Sequence, residues 1–97
     1  MRLAMVSIVP SGDLVLPVNE AAVLDTIWAA VLPEDLVEHL SVRVLQCEIV
    51  VGVFAAMVDA ERLRTIALDL VTRACEMSPL LRGGITCRNR SVANLLL

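Results

Sequence analysis

The stretch EIVVGVFAAM, residues 48–57, limits what this chain can fold into more than any other part of it. Ile49, Val50, Val51, Val53 and Phe54 are β-branched or aromatic, which favours a strand. Neighbouring side chains of a strand point to opposite faces, so a half-exposed strand alternates apolar and polar residues. This one does not alternate. Ile49, Val51, Val53 and Ala55 share one face, and Val50, Gly52, Phe54 and Ala56 the other. Both faces therefore need a cover, and a chain of 97 residues has little to spare for the second.

A chain of this length forms one domain, residues 1–97, and buries only about two-thirds of its unfolded surface. Its residues are 58% hydrophobic, against roughly 45–50% in an average soluble domain. The surplus exceeds what one small core hides and calls for something further to cover it. A bilayer does not fit. A spanning helix needs about 20 apolar residues, whereas the longest charge-free runs, Leu3–Gly12 and Ile49–Val58, have 10 each. The opening MRLAMVSIVP has one Arg before a short apolar stretch, but neither an adequate apolar region nor an A-x-A pattern. It reads as a first strand, with no membrane partner and a cytoplasmic location expected.

The net charge of −3 argues against a nucleic-acid partner, which is held by counterion release to basic side chains. Residues 1–61 carry two Arg against nine Asp and Glu, and residues 62–97 six Arg against two. Such asymmetry can orient a self-association. There is no Lys and no Tyr, as expected of a GC-rich bacterial genome, because both have AT-rich codons. Schiff-base formation, lysine base catalysis and tyrosine acid catalysis are thereby unavailable. Cys47, Cys75 and Cys87 are odd in number and lack C-x-x-C spacing, so neither a disulfide framework nor a zinc site is expected. Cys75 and Cys87 are expected as small buried hydrophobes.

Residues 2–9 read as a first strand, with Leu3, Met5 and Val9 against Ala4, Val6 and Ile8, followed by turn chemistry in PSGD, 10–13. Asn19 is an N-cap candidate for a helix to about Leu32, with Val23, Leu24, Ile27, Trp28 and Val31 on one face. Pro33 ends that helix or begins a short second turn through EDLVEHL, where Leu36, Val37 and Leu40 have helical spacing. SVRVL, 41–45, alternates and reads as a half-exposed strand. A tight hairpin at QCE joins it to the next strand, although no Gly or Asn supplies the positive φ of a primed turn. One bent strand over 42–56 is the alternative.

Asp59 is expected to cap a second helix, with Val58 stapled onto Leu63. Leu63, Ile66, Ala67, Leu70, Val71, Ala74 and Met77 form its buried stripe, and Asp69 and Arg73 an i,i+4 pair. Pro79 ends the helix, Gly83 and Gly84 turn the chain, and ITCR makes a last strand with Ile85 and Cys87 inward and Thr86 and Arg88 outward. The tail NRSVANLLL shows no pattern.

The order β-α-β-β-α-β is that of the split βαβ, or ferredoxin-like, α+β arrangement: a four-stranded antiparallel sheet of order 4-1-3-2 with two helices on one face. Strands one and three are central, and these are the two without a polar face. Their uncovered side, taken as Val6, Ile8, Val50, Gly52 and Phe54, is the expected interface. A second copy of the same sheet is the most economical cover, since most soluble oligomers are symmetric dimers; another protein partner is the alternative cover.

Several activities found on this fold lack their residues here. Heavy-metal carriers need C-x-x-C in the first loop, and VPSGDL has no Cys. Acylphosphatases need an Arg-bearing glycine-rich loop, and Gly12 stands alone. RNA-recognition modules need strand aromatics and a basic surface, and Phe54 is the one Phe. Two resemblances remain. SGD, 11–13, resembles the acidic, Gly-containing turn after strand one in amino-acid-sensing ACT domains. The element order also resembles the dimeric α+β-barrel family, which implies paired sheets enclosing a cavity for small-molecule chemistry or sensing. His39, beside Glu38 and Ser41, is the one His and the natural candidate base, but reads first as a surface residue; Trp28 reads as core. No nucleophile–base pair, phosphate loop, metal cluster or cofactor motif is recognisable. The expectation is a small non-catalytic, self-associating assembly or binding module. A cavity-bearing α+β-barrel enzyme or ligand sensor is the alternative.

Overall fold

Ile49–Ala55 becomes the strand its composition demands and takes a central place in a four-stranded antiparallel sheet. The computed structural model describes residues 2–12 and 14–88; Asp13 of the first turn and the tail, 89–97, lie outside the described residues. Along the chain run β1 (Arg2–Val9), α1 (Glu20–Ala30), β2 (His39–Val44), β3 (Ile49–Ala55), α2 (Ala60–Met77) and β4 (Ile85–Arg88). The sheet order β2-β3-β1-β4 is 4-1-3-2 read from the other edge, as the element order implies. The α+β reading therefore holds.

The strand register fixes the faces, because residues directly opposite across an antiparallel pair share one. Ala4, Val6 and Ile8 of β1 stand opposite Val53, Val51 and Ile49 of β3. All six are buried, and they join Val23, Ile27 and Ala30 of α1 and Leu63, Ala67, Leu70, Val71, Ala74 and Cys75 of α2 in one core. Both helices thus pack on one face of the sheet. Met77, expected in the stripe, lies in the last turn of α2 and is exposed; the stripe runs through Cys75 instead.

The helix starts follow their caps. Asn19 Oδ1 accepts the Ala22 N–H at 3.0 Å, and Asp59 Oδ1 accepts the Arg62 N–H at 2.8 Å. Val58 and Leu63 are both buried in the core, as a staple across that cap requires. α1 ends at Ala30 rather than Leu32. Pro33 disfavours the helical conformation at the residue before it, and Leu32 is extended with ψ 150. Ala30 takes a buried place on α1, whereas Trp28, expected in the core, is 39% exposed.

Between α1 and β2, Pro33 begins a short second turn, a single 3₁₀ turn over Pro33–Asp35; Leu36 leaves it with φ 58, so the turn does not extend through the rest of EDLVEHL. β2 starts at His39, two residues earlier than the alternation indicates. The hairpin to β3 forms, with the Leu45 N–H donating to the Glu48 carbonyl at 2.8 Å. Among the described non-glycine residues only Leu36 has a positive φ, so the turn at Gln46 and Cys47 is not of the primed kind.

Two polar contacts tie the helices down. Glu20 Oε2 accepts the Val44 N–H at 2.9 Å, fastening the first turn of α1 to the end of β2. Arg73 does not pair with Asp69. Its guanidinium crosses to the end of α1, donating to the Ala30 carbonyl at 2.9 and 3.1 Å and to Asp35 Oδ2 at 2.8 Å. Asp35 Oδ2 also accepts the Leu32 N–H at 2.8 Å. A carbonyl left without a partner by the helix end and a nearly buried carboxylate attract this Arg more strongly than a solvated Asp one turn away.

Removing the Asp59 carboxylate by Asp59→Ala should lower stability by about 1 kcal/mol. The expected readout is a lower urea midpoint with an unchanged slope.

Candidate functional site

The sheet face turned away from the helices is built from every second residue of each strand. Three rows cross it: His39, Phe54 and Leu3; Ser41, Gly52 and Met5; then Arg43, Val50, Ser7 and Cys87. Val9 and Ile85 stand opposite each other at one end. Of the expected interface residues, Val50, Gly52 and Phe54 lie here. Val6 and Ile8 do not. The register places them opposite Val51 and Ile49, buried beneath the helices, so β1 contributes Leu3, Met5, Ser7 and Val9.

The last strand is likewise turned over relative to expectation. Ile85 is 57% exposed and Cys87 is exposed, both on the helix-free face. Thr86 points to the helices, where its hydroxyl lies 2.7 Å from that of Thr72 on α2. A two-residue alternation reveals that two faces exist but does not label them, and the Thr72 hydroxyl makes a polar residue acceptable on the inner one.

Exposure on the helix-free face is uneven. Ser7 and Val50, near its centre, are buried, whereas Val9 is 38% exposed and Ile85 more so. Gly52 is covered by its neighbours. A Cβ there would lie 2.5 Å from Ser41 Oγ and 3.2 Å from both Leu3 Cδ1 and Met5 Sδ. The absence of a side chain lets these three close over the sheet. The His39 ring meets Phe54 with centroids 5.2 Å apart, tilted by 54°. Among the described residues it makes no hydrogen bond to a carboxylate or hydroxyl, so its neighbourhood is that of an edge residue packed on an aromatic ring rather than that of an oriented base.

A second feature lies behind β4, on the helix side, and the sequence pattern did not announce it. A cleft of about 240 Å³ opens between Thr72, Cys75 and Glu76 of α2, the turn Arg82–Gly84, and Thr86 of β4. Gly83, at φ 91, turns the chain. Gly84 lets the turn approach the sheet, because a Cβ there would come within 2.6 Å of Ile8 Cγ2. Burial, with a smaller contribution from the Glu76 charge, pushes the Cys75 thiol up from 9.0 to about 11. It is a neutral wall of the cleft at physiological pH, not a nucleophile. Cys47 and Cys87 are exposed, the latter contrary to expectation. Among the described residues no group of three His, Cys, Asp or Glu side chains could hold a metal ion, and no helix is long and apolar enough to cross a membrane.

Comparison with protein families, with curated proteins and with solved structures found no match.

Gly52→Val should cost about 1–3 kcal/mol by overpacking the Ser41, Leu3 and Met5 side chains. Adding Ser41→Ala, which removes the nearest atom, should recover part of the loss; equal midpoints for the single and double variants would contradict the contact. The Cys75 thiol predicts a pH dependence. Its folded value lies above its unfolded one, so its stabilising effect is complete below pH 9.0 and lost as pH rises toward about 11. With no Lys or Tyr in the chain, few other groups titrate in that window. The denaturation midpoint should fall across it, and Cys75→Ala should flatten the fall.

Proposed function

We propose that this chain is a small non-catalytic module of ferredoxin-like fold that associates with a second copy of itself through the helix-free sheet face. The observation that carries the reading is the apolar content of that face: Leu3, Met5, Val9, Phe54 and Ile85 lie there with neither α1 nor α2 over them. Val9 and Ile85, side by side on adjacent strands, keep much of their surface in water. Burying a large aliphatic side chain is worth about 1.5–3 kcal/mol, and a two-fold pairing buries each such residue twice over, once per copy.

The margin of the face suits a self-complementary contact. Arg43 lies on it, and Glu38 and Glu48 adjoin the strands that carry it. None of these three forms an ion pair within the chain among the described residues. Both signs are thus free to meet their opposites across a two-fold axis, which selects orientation more than it adds affinity. The occupant of the face is accordingly a second copy, and a different protein partner is an outcome for the test to reveal.

Sedimentation at micromolar concentration should give twice 10.5 kDa. Val9→Glu and Ile85→Glu, both at exposed positions, should shift the chain to a monomer with unchanged circular dichroism. Met57→Glu, at a residue 80% exposed outside the strands, should leave association intact. A monomer for the unaltered chain, or equal effects of all three substitutions, would overturn the reading.

A further inference from the structure

We propose that the cleft between α2, the Arg82–Gly84 turn and β4 binds a small zwitterion of free amino-acid size. The cleft lies on the helix side of β4, away from the face assigned to self-association, so the two readings stand or fall separately.

Charge carries the inference. Glu76 and Arg82 line the same cleft, yet they form no salt bridge with each other, and neither side chain has a hydrogen-bond or ion-pair partner among the described residues. A simple anion would be drawn to Arg82 and repelled by Glu76; a simple cation would meet the reverse. A ligand bearing an ammonium and a carboxylate close together satisfies both, because each charge meets its opposite with charge-assisted hydrogen bonds.

The cleft wall adds a third contact. Thr72 and Thr86 hydroxyls, 2.7 Å apart, share one hydrogen bond. Two hydroxyls own two protons, and one such bond uses only one of them. The second O–H remains to donate to a carboxylate entering the cleft. Cys75 contributes a neutral, weakly polar surface that suits a hydrogen or a short side chain and offers no covalent chemistry.

Size narrows the class. At about 240 Å³ the cleft falls below the roughly 300–1,000 Å³ of sites for drug-sized ligands. A nucleotide or an extended peptide would project well beyond it.

The test is an amide-shift titration of the full chain, followed by NMR, with glycine, L-alanine and L-serine as probes. Acetate and ethylammonium, each carrying one of the two charges, serve as controls at matched ionic strength. The expected result is saturable shifts at Thr72, Gly83, Gly84 and Thr86 with at least one zwitterion, and at least about tenfold weaker binding of both controls. Glu76→Gln and Arg82→Gln change exposed side chains, so the fold should persist by circular dichroism, and each should weaken the zwitterion by about tenfold. No saturable shift with any of the three zwitterions overturns the proposal. So does acetate binding as well as they do, or Glu76→Gln leaving the zwitterion's affinity unchanged. In the acetate case the cleft is an anion site, and Glu76→Gln should then strengthen acetate binding.

Discussion

The β1–β3 pair at the centre of the sheet is the constraint on which the rest of the molecule depends. Ile49, Val51 and Val53 are fully buried against α1 and α2 together with Val6 and Ile8. Each such side chain contributes on the order of 1.5–3 kcal/mol relative to exposure. Neither strand can move to an edge without surrendering much of that. Their central place forces β2 and β4 outward, and the two crossover connections then carry both helices over the same face. Close packing follows: Gly84 has no room for a Cβ because Ile8 and Leu14 already occupy the space.

Polar groups work at the periphery of this core rather than within it. The Arg73 guanidinium takes up the Ala30 carbonyl at the end of α1 and the Asp35 carboxylate in one contact set. Glu20 does the corresponding work at the other end of α1, occupying a backbone N–H of the edge strand β2 that would otherwise be open to pairing. Long charged side chains reach across elements in both cases, so the partners are distant in sequence. The helices are held at defined positions, and two surfaces of different chemistry result. The helix-free face carries Leu3, Met5, Val9, Phe54 and Ile85 interspersed with Ser7, Ser41, His39 and Arg43. The cleft behind β4 is polar, and its Glu76 and Arg82 side chains have no partner among the described residues.

Much of the fold was legible in the sequence, because local chemistry and periodicity are properties of neighbours. The caps Asn19 and Asp59, the stripe along α2, the breaks at Pro33 and Pro79 and the two-sided apolar character of β3 each follow from residues a few positions apart. Their order was enough to imply the sheet order. The faces of the candidate site were harder to read. Alternation in β1 separates Leu3, Met5 and Val9 from Ala4, Val6 and Ile8, but both sets are apolar, so the pattern does not say which set meets the helices. The choice of Val6 and Ile8 as interface residues failed for that reason, and the reversal of Ile85 and Thr86 has the same origin.

Sequence by itself therefore determined that this chain has a βαββαβ order, two caps, one strongly amphipathic helix and two strands without a regular polar face. Tertiary structure alone decided which side of each strand is inside. Register depends on pairing between segments tens of residues apart, and a shift of one residue exchanges the faces without changing the composition of either strand. It also decided that Arg73 meets Asp35 rather than Asp69, and that Glu76 and Arg82 share a cleft with Thr72 and Thr86. Those meetings arise when α2 lies across the sheet and the Gly83–Gly84 turn folds back beside it. No periodicity along the chain encodes a contact between a helix, a turn and a strand, because the distance that matters there is measured through space.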